Sequence, residues 1–202
     1  MPPADVALAL HADGAALAAV CAALFPEAPR RASTREELRP RAPFAGALFE
    51  LLADLVRGSC VGLVVPVVPA PAAQLPGVRG PGAPPAPSGT LLPVADHVNL
   101  ELRGPLTGPW PAGVPRDFPQ VAGIYQPALV RACGGPRVYS TGVVVAGVAD
   151  ARRLTPFEAK AVADLGVIAV SDVLVPAAIV AAYHGLTLAA CGVPRTDDND
   201  EQ

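Results

Sequence analysis

Residues 153–186 read RLTPFEAKAVADLGVIAVSDVLVPAAIVAAYHGL, and this stretch decides the fold class. Thr155 is a hydroxyl residue placed to accept a free backbone N–H at a helix start. Pro156 suits the first helical position, and Glu158 three residues beyond Thr155 completes a capping box. The helix then carries Phe157, Ala161, Val162 and Leu165 at three- and four-residue spacing and stops at Gly166. Val167–Val170 is an uncharged, mostly β-branched run, as expected of a strand covered on both faces. After the Ser171-Asp172 turn, Pro176 is read as the opening of a second helix whose Ile179, Val180 and Tyr183 share a face. Gly185 closes it, and Leu186–Cys191 reads as a further buried strand. Helix, strand, helix and strand in tight succession predict an α/β fold.

With those residues in view, the stretch resembles the C-terminal signature of the purine nucleoside phosphorylase family, roughly FETPAE, a helix, LGADAVGMSTVPE, a helix, then GL and a strand. Thr155, Pro156, Glu158, Leu165, Gly166, Ala169, Val170, Val175, Pro176, Ile179, Val180, Ala181, Gly185 and Leu186 agree without a gap. These positions build the scaffold. In the same register the family's purine-binding Phe and Glu fall on Arg153 and Leu154. Its ribose-contacting Met falls on Asp172, its phosphate-binding Ser on Val173 and its next Glu on Ala177. The resemblance implies a three-layer fold with a central mixed, largely buried sheet flanked by helices, and a catalytic site that has lost most of its polar groups.

The rest of the chain bounds this reading. At 202 residues with 51% apolar content, one domain spanning residues 1–196 with a substantial core is expected, followed by an acidic tail, 197–202. The 25 prolines and 19 glycines demand long irregular segments. A net charge of −3 argues against nucleic acid as main partner, since that binding relies on many cationic contacts to phosphates. MPPADVALAL lacks a positive leader, and His11, Asp13 and Gly14 interrupt the apolar run after it, so a soluble intracellular protein without signal peptide or membrane span is expected. Cys21, Cys60, Cys133 and Cys191 are widely spaced, which reads as reduced and mostly buried thiols and gives no metal site. No cofactor is implied.

Along the N-terminal half, Asp5–Leu10 reads as a strand and Ala15–Leu24 as a helix. The turn His11–Gly14 stands where the family has a GSGLG-like phosphate loop, without its serine. Pro26–Pro43 reads as an exposed polar connection with one helical turn begun at Ser33 or Thr34. Its Arg30-Arg31-Ala32-Ser33 is a pattern that basophilic kinases accept, and the same basic cluster has the form of a nuclear-import signal; a solvated charged loop is the favoured account of it, since such short motifs recur by chance. Phe44–Val56 carries Phe44, Leu48, Leu51, Leu52 and Leu55 on one helical face, and Cys60–Val68 reads as a central strand. Where the family's strand ends in TNAAG, this chain has Pro66, Val67, Val68, Pro69 and Ala70, which offer few donors. Residues 69–89 form a Pro/Gly-rich loop with polyproline character, the composition that PxxP readers dock.

A second block of resemblance comes after a short strand at Thr90–Val94. Asp96-His97-Val98-Asn99-Leu100 resembles DHINL, Pro105–Pro109 resembles PLxGP, and Phe118-Pro119 with Tyr125 resembles the later FP and SDAYD segment. The family's serine and aspartates around that tyrosine become Ala122, Gly123 and Gln126. Pro127–Cys133 reads as a helix and Arg137–Gly147 as a strand. Thr196-Asp197 stands near the place of an SD pair that protonates the purine in nucleosidase relatives.

The resemblance thus implies a non-catalytic binding or scaffolding module on this fold, serving an unknown protein partner. Two other readings stand beside it. One is a remodelled phosphorylase or nucleosidase cleaving the N-glycosidic bond of purine nucleosides, with Asp197 or Asp172 as acid and His97 and Arg153 positioning an anionic or sugar group. The other is a nucleoside sensor that binds a purine nucleoside or base without turnover. His97, Asn99, Tyr125, Arg153, Asp172 and Asp197 are the pocket candidates in either case. Because the enzyme family forms trimers or hexamers, a homo-oligomer is also implied. A fainter resemblance, carried by the Ala/Arg-rich composition of a GC-rich genome and the arginine-flanked Ser33, is to the nuclear phosphoproteins of alphaherpesviruses. It implies a host-nucleus location with Ser33 as the phosphorylated residue.

Overall fold

A computed structural model describes residues 6–10, 19–20, 22–26, 30–33, 52–53, 55, 57–69, 90–101, 104–106, 117–133, 138–151 and 153–194. Its strands are β1 (Val6–Leu10), β2 (Arg30–Ser33), β3 (Cys60–Pro69), β4 (Leu92–Asn99), β5 (Val143–Gly147), β6 (Ala169–Ser171) and β7 (Thr187–Pro194). Its helices are α1 (Pro127–Ala132), α2 (Pro156–Asp164) and α3 (Leu174–Tyr183).

β3 is the hub. Its apolar, β-branched run is buried from Cys60 to Val67, which suits a strand with partners on both edges and helices on both faces. It runs parallel to β1, with Val6 opposite Val61, and parallel to β7, with Cys60 opposite Thr187 and Val67 opposite Pro194. Its last residues, Val68 and Pro69, turn to an antiparallel pairing with Val170 and Ala169 of β6. β6 continues parallel to β5 and β5 parallel to β4, while the start of β4 returns antiparallel to β7 through Leu92–Gly192 and Pro93–Cys191. The mixed sheet therefore closes into a ring β3–β6–β5–β4–β7–β3, with β1 and β2 extending from β3.

Strand alternation sends side chains to separate cores. Val61, Leu63, Val65 and Val67 of β3 join Leu188 and Ala190 of β7 and the α3 residues Leu174, Ala177, Ala178 and Ala181. The intervening Cys60, Val64, Ala189 and Cys191 pack on Leu24, Phe25 and Val130 of α1. On β5 and β6, Ala146 and Val170 face Val162 of α2. Each fully buried valine or leucine contributes about 1.5–3 kcal/mol relative to exposure, so these three clusters hold the layers together.

Several sequence expectations are corrected. Arg30–Ser33 forms neither an irregular connection nor a helical turn but β2, parallel to β1 with Ser33 opposite Leu10 and, among the described strands, at the edge of the sheet. The backbone of β1 needs a second partner, and arginines are tolerated on a sheet edge. β4 runs on through Asn99, well past Val94. β5 begins only at Val143, because the chain bends at Ser140-Thr141 and passes Gly142 against Ala95. β6 starts two residues later than expected and ends at Ser171. α3 opens at Leu174 rather than Pro176; Pro176 sits inside the first turn, where a missing N–H removes no intrahelical bond. β7 extends to Pro194.

The face of α2 differs as well. The spacing of Phe157, Ala161, Val162 and Leu165 predicts one buried stripe, yet the buried residues are Ala159, Val162 and Ala163, while Phe157 is 80% and Leu165 59% exposed. Small alanines let the helix lie close on the sheet, and the bulky pair is turned outward. Other expectations hold where the structure describes them. The capping box is formed, with the Thr155 hydroxyl accepting from the Glu158 amide and the Glu158 carboxylate accepting from the Thr155 amide. Ala19, Val20 and Ala22–Leu24 are helical, as are Leu52 and Ala53, and the remainder of those two expected helices lies outside the described residues. Residues 70–89 and 195–202 do as well. Cys60 and Cys191 are buried and Cys133 is exposed.

Candidate functional site

The parallel trio β4, β5 and β6 ends level, with Asn99 opposite Gly147 and Gly147 opposite Ser171. The carboxyl ends of parallel strands are where α/β sheets commonly bind ligands, since loops and helix starts converge there. His97 and Asn99 stand on this end of β4, and Asp172 comes just after the end of β6, half-buried in the turn to α3.

His97 and Tyr125 form one unit. The ring Nδ1 lies 2.7 Å from the Tyr125 hydroxyl, and the rings meet edge to face at 5.6 Å between centroids. The hydroxyl donates when Nε2 carries the ring proton, and the ring donates when Nδ1 does. Tyr125 is buried and anchored by a parallel bridge to Leu188, flanked by Leu188 N–H to the Ile124 carbonyl and Gln126 N–H to the Leu188 carbonyl. Burial lowers the His97 pKa, opposed by the nearby Asp96 carboxylate, and burial together with Asp96 pushes the Tyr125 phenol far above its ordinary value. The pair is therefore neutral near pH ~7, able to exchange a hydrogen bond with a polar ligand but poorly suited to hold an anion.

Asn99 has a different task. Its side-chain oxygen accepts the Glu101 amide at 3.1 Å, closing the end of β4, which is the backbone-holding role its position suggests. Arg153 is 86% exposed and pairs with Asp150 at 3.5 Å. It lines a groove of about 480 Å³ together with Leu100, Glu101, Val148, Leu154, Glu158 and Leu165, and neither His97, Tyr125 nor Asp172 belongs to that lining. Asp197 lies outside the described residues.

Ser171 is the residue that sequence reasoning passed over. Fully buried, its hydroxyl donates to the Pro66 carbonyl of β3 at 3.1 Å and accepts the amides of Val173 and Leu174 at the start of α3. It ties β6, β3 and α3 into one joint. A serine three residues before the first helical position was the available signal, obscured by reading Pro176 as the helix start. Beside it, Val173 is buried in the main core. Among the described residues no group of His, Cys, Asp and Glu is arranged to hold a metal ion, and no helix is long and apolar enough to cross a membrane.

This architecture is an α/β fold of the nucleoside-phosphorylase type. Comparison with solved structures finds the purine nucleoside phosphorylase of Schistosoma mansoni in complex with acetate, at a TM-score of 0.51 and 17% identity over 67% of this chain and 48% of that one. The same organism's enzyme in complex with inosine superposes at 0.50 with 16% identity, covering 71% of this chain and 51% of the other. Its complex with BCX-34 gives 0.50 and 16%, over 70% and 53%. The chain thus spans about half the length of the phosphorylases it matches. No family model matches the sequence, and no curated protein is detectably related to it.

Proposed function

We propose that the chain is a non-catalytic binding or scaffolding module on the nucleoside-phosphorylase fold. The observation that carries this reading is the state of the β6–α3 joint. The position that aligns with the family's phosphate-binding serine is Val173, an apolar side chain packed in the core. The one serine at hand, Ser171, has its hydroxyl directed at the Pro66 carbonyl. Preorganised polar contacts of the kind that the sequence replaces at the aligned positions each contribute about 3–4 kcal/mol to a transition state, so losing several abolishes turnover. That Arg153 lines a groove to which neither His97 nor Tyr125 contributes supports the same reading, because a remodelled site needs these groups in one pocket.

The direct test is phosphate-dependent release of hypoxanthine from inosine, and of guanine from guanosine, by the full chain. Release at the rate of the protein-free control is expected. Release that requires phosphate and disappears in His97→Ala overturns the proposal in favour of a remodelled phosphorylase.

The neutral His97–Tyr125 pair at a strand end favours, as a second reading, a sensor of purine nucleoside or base. Calorimetric titration with inosine and guanine, with Tyr125→Phe as the control, distinguishes it by saturable heat without turnover. Nuclear location and Ser33 phosphorylation belong to the fainter resemblance. Mass spectrometry of the chain recovered from transfected cell nuclei tests both, and Ser33 is then expected to be modified while standing at the end of the β2 edge strand.

A further inference from the structure

The groove beside α2 is lined by none of His97, Tyr125 and Asp172 of the strand-end site. Its floor is Val148 and Val162, both buried, with Leu154 half-buried beside them. One wall is the outward face of α2, where Ala161 and Leu165 stand one turn apart and Phe157 borders them a turn earlier. The other wall is the chain leaving β4 at Leu100 and Glu101. Four large apolar side chains are exposed among the described residues. Two of them, Leu100 at 39% and Leu165 at 59%, line this groove, and a third, Phe157 at 80%, lies one helical turn before Ala161 on the same helix. Apolar exposure gathered in one place marks a binding surface in a way that scattered single residues do not.

The electrostatics select the occupant. Among the described residues, Glu101, Asp150 and Glu158 line the groove against a single cation, Arg153, which already leans on Asp150. Glu158 is held ionised, because the backbone and hydroxyl hydrogen bonds of Thr155 lower its pKa. An anionic ligand is repelled from such a rim, and a cationic one is attracted. β4, β5 and β6 have strand neighbours on both sides, so among the described residues no open sheet edge is available here for strand addition. What α2 and its C-cap present instead is an apolar stripe at helical spacing, Phe157, Ala161 and Leu165, about 12 Å long over eight residue steps. A helix laid along it meets ridges of matching pitch.

We infer that this groove docks an amphipathic helix of a partner protein, with apolar residues at i, i+4 and i+8 against α2 and Lys or Arg bordering that face. The inference rests on the binding-module reading and supplies the chemistry of its partner.

The probe is a fluorescein-labelled 16-residue helical peptide with Leu along one face and Lys bordering it. It is compared with the same peptide carrying Glu for Lys and with a scrambled sequence, using fluorescence anisotropy on the full chain. Saturable binding of the Leu/Lys peptide is expected, at least ~10-fold tighter than either control, equivalent to about 1.4 kcal/mol. Ala161→Arg and Leu165→Asp place a charge on exposed helix positions and are each expected to weaken binding ~10-fold or more, while Phe118→Ser, elsewhere on the surface, leaves it unchanged. Equal binding of all peptides, or binding indifferent to Ala161→Arg and Leu165→Asp, overturns the inference. So does concentration-dependent self-association that Leu165→Asp abolishes, since the occupant is then a second copy. Circular dichroism of each variant establishes that it is folded. None of these outcomes bears on nucleoside cleavage, so the two proposals fail separately.

Discussion

Gly147 stands where β5 meets α3, and replacing it with alanine probes how tightly that end of the sheet is closed. A Cβ at this position lies 2.4 Å from Cγ2 and 2.8 Å from Cβ of Val175, whereas carbon pairs settle at about 3.5–4.0 Å. Val175 is buried in α3 and β-branched, so it has no alternative rotamer into which to retreat. The helix or the strand must shift instead, and overpacking of this kind costs roughly 1–3 kcal/mol, with the shortness of the contact placing Gly147→Ala near the upper figure. For a domain whose urea dependence is about 2 kcal/mol/M, the unfolding midpoint falls by about 1.5 M. Val175→Ala alone costs about 2 kcal/mol in lost burial, by the usual scale for deleted methyl groups. It removes the nearest atom of the clash, so the double variant is expected to be less destabilised than the sum by about 1 kcal/mol or more. Urea unfolding of the four chains, monitored by circular dichroism, gives the coupling directly. A Gly147→Ala midpoint equal to that of the parent, or strict additivity in the cycle, refutes the close approach of β5 and α3.

Three further outcomes are expected. Ser171→Ala removes the donor to Pro66 and the acceptor for the amides of Val173 and Leu174, all buried, and is expected to cost about 1–3 kcal/mol in urea unfolding, whereas Ser171→Thr, which keeps the hydroxyl, loses less. Thr155→Ala opens the capping box and is expected to cost about 1 kcal/mol, with faster amide exchange confined to the first turn of α2. Because burial lowers the His97 pKa, the unfolded chain binds a proton there at higher pH than the folded chain. Stability is therefore full above the ordinary value of about 6.5 and declines as pH falls below it, and His97→Phe is expected to flatten that portion of the curve between about pH 7.5 and 5.5.

Local rules account for what was legible in the sequence. Thr155, Pro156 and Glu158 lie within one helical turn, and their capping box forms as the spacing dictates. The valine runs of β3 and β5 announce strands buried on both faces, and helix–strand alternation gives the fold class before any coordinate is known. Legibility ends where residues distant in sequence must meet. Nothing near Arg30–Ser33 signals that β1 needs a neighbour, and nothing near Ser171 points to the Pro66 carbonyl 105 positions away. The outward turn of Phe157 and Leu165 is equally hidden, because periodicity marks a stripe as apolar but only packing decides which part of it reaches the core. Of the site candidates, His97 and Tyr125 meet across 28 positions through the Tyr125–Leu188 bridge, a register that no local pattern encodes.

The closed ring of strands has a consequence for biosynthesis. β7, the last of the described strands in sequence, sits between β3 and β4, so the sheet lacks an inner member until Thr187–Pro194 has been made. A ribosome delivering this chain at about 5–20 residues per second releases β3 several seconds before the strand that covers one of its edges. During that interval a long valine-rich edge stands open, the kind of surface that holdase chaperones bind and that pairs wrongly with its own kind. A chain truncated shortly before β7 should therefore aggregate rather than fold as a smaller domain.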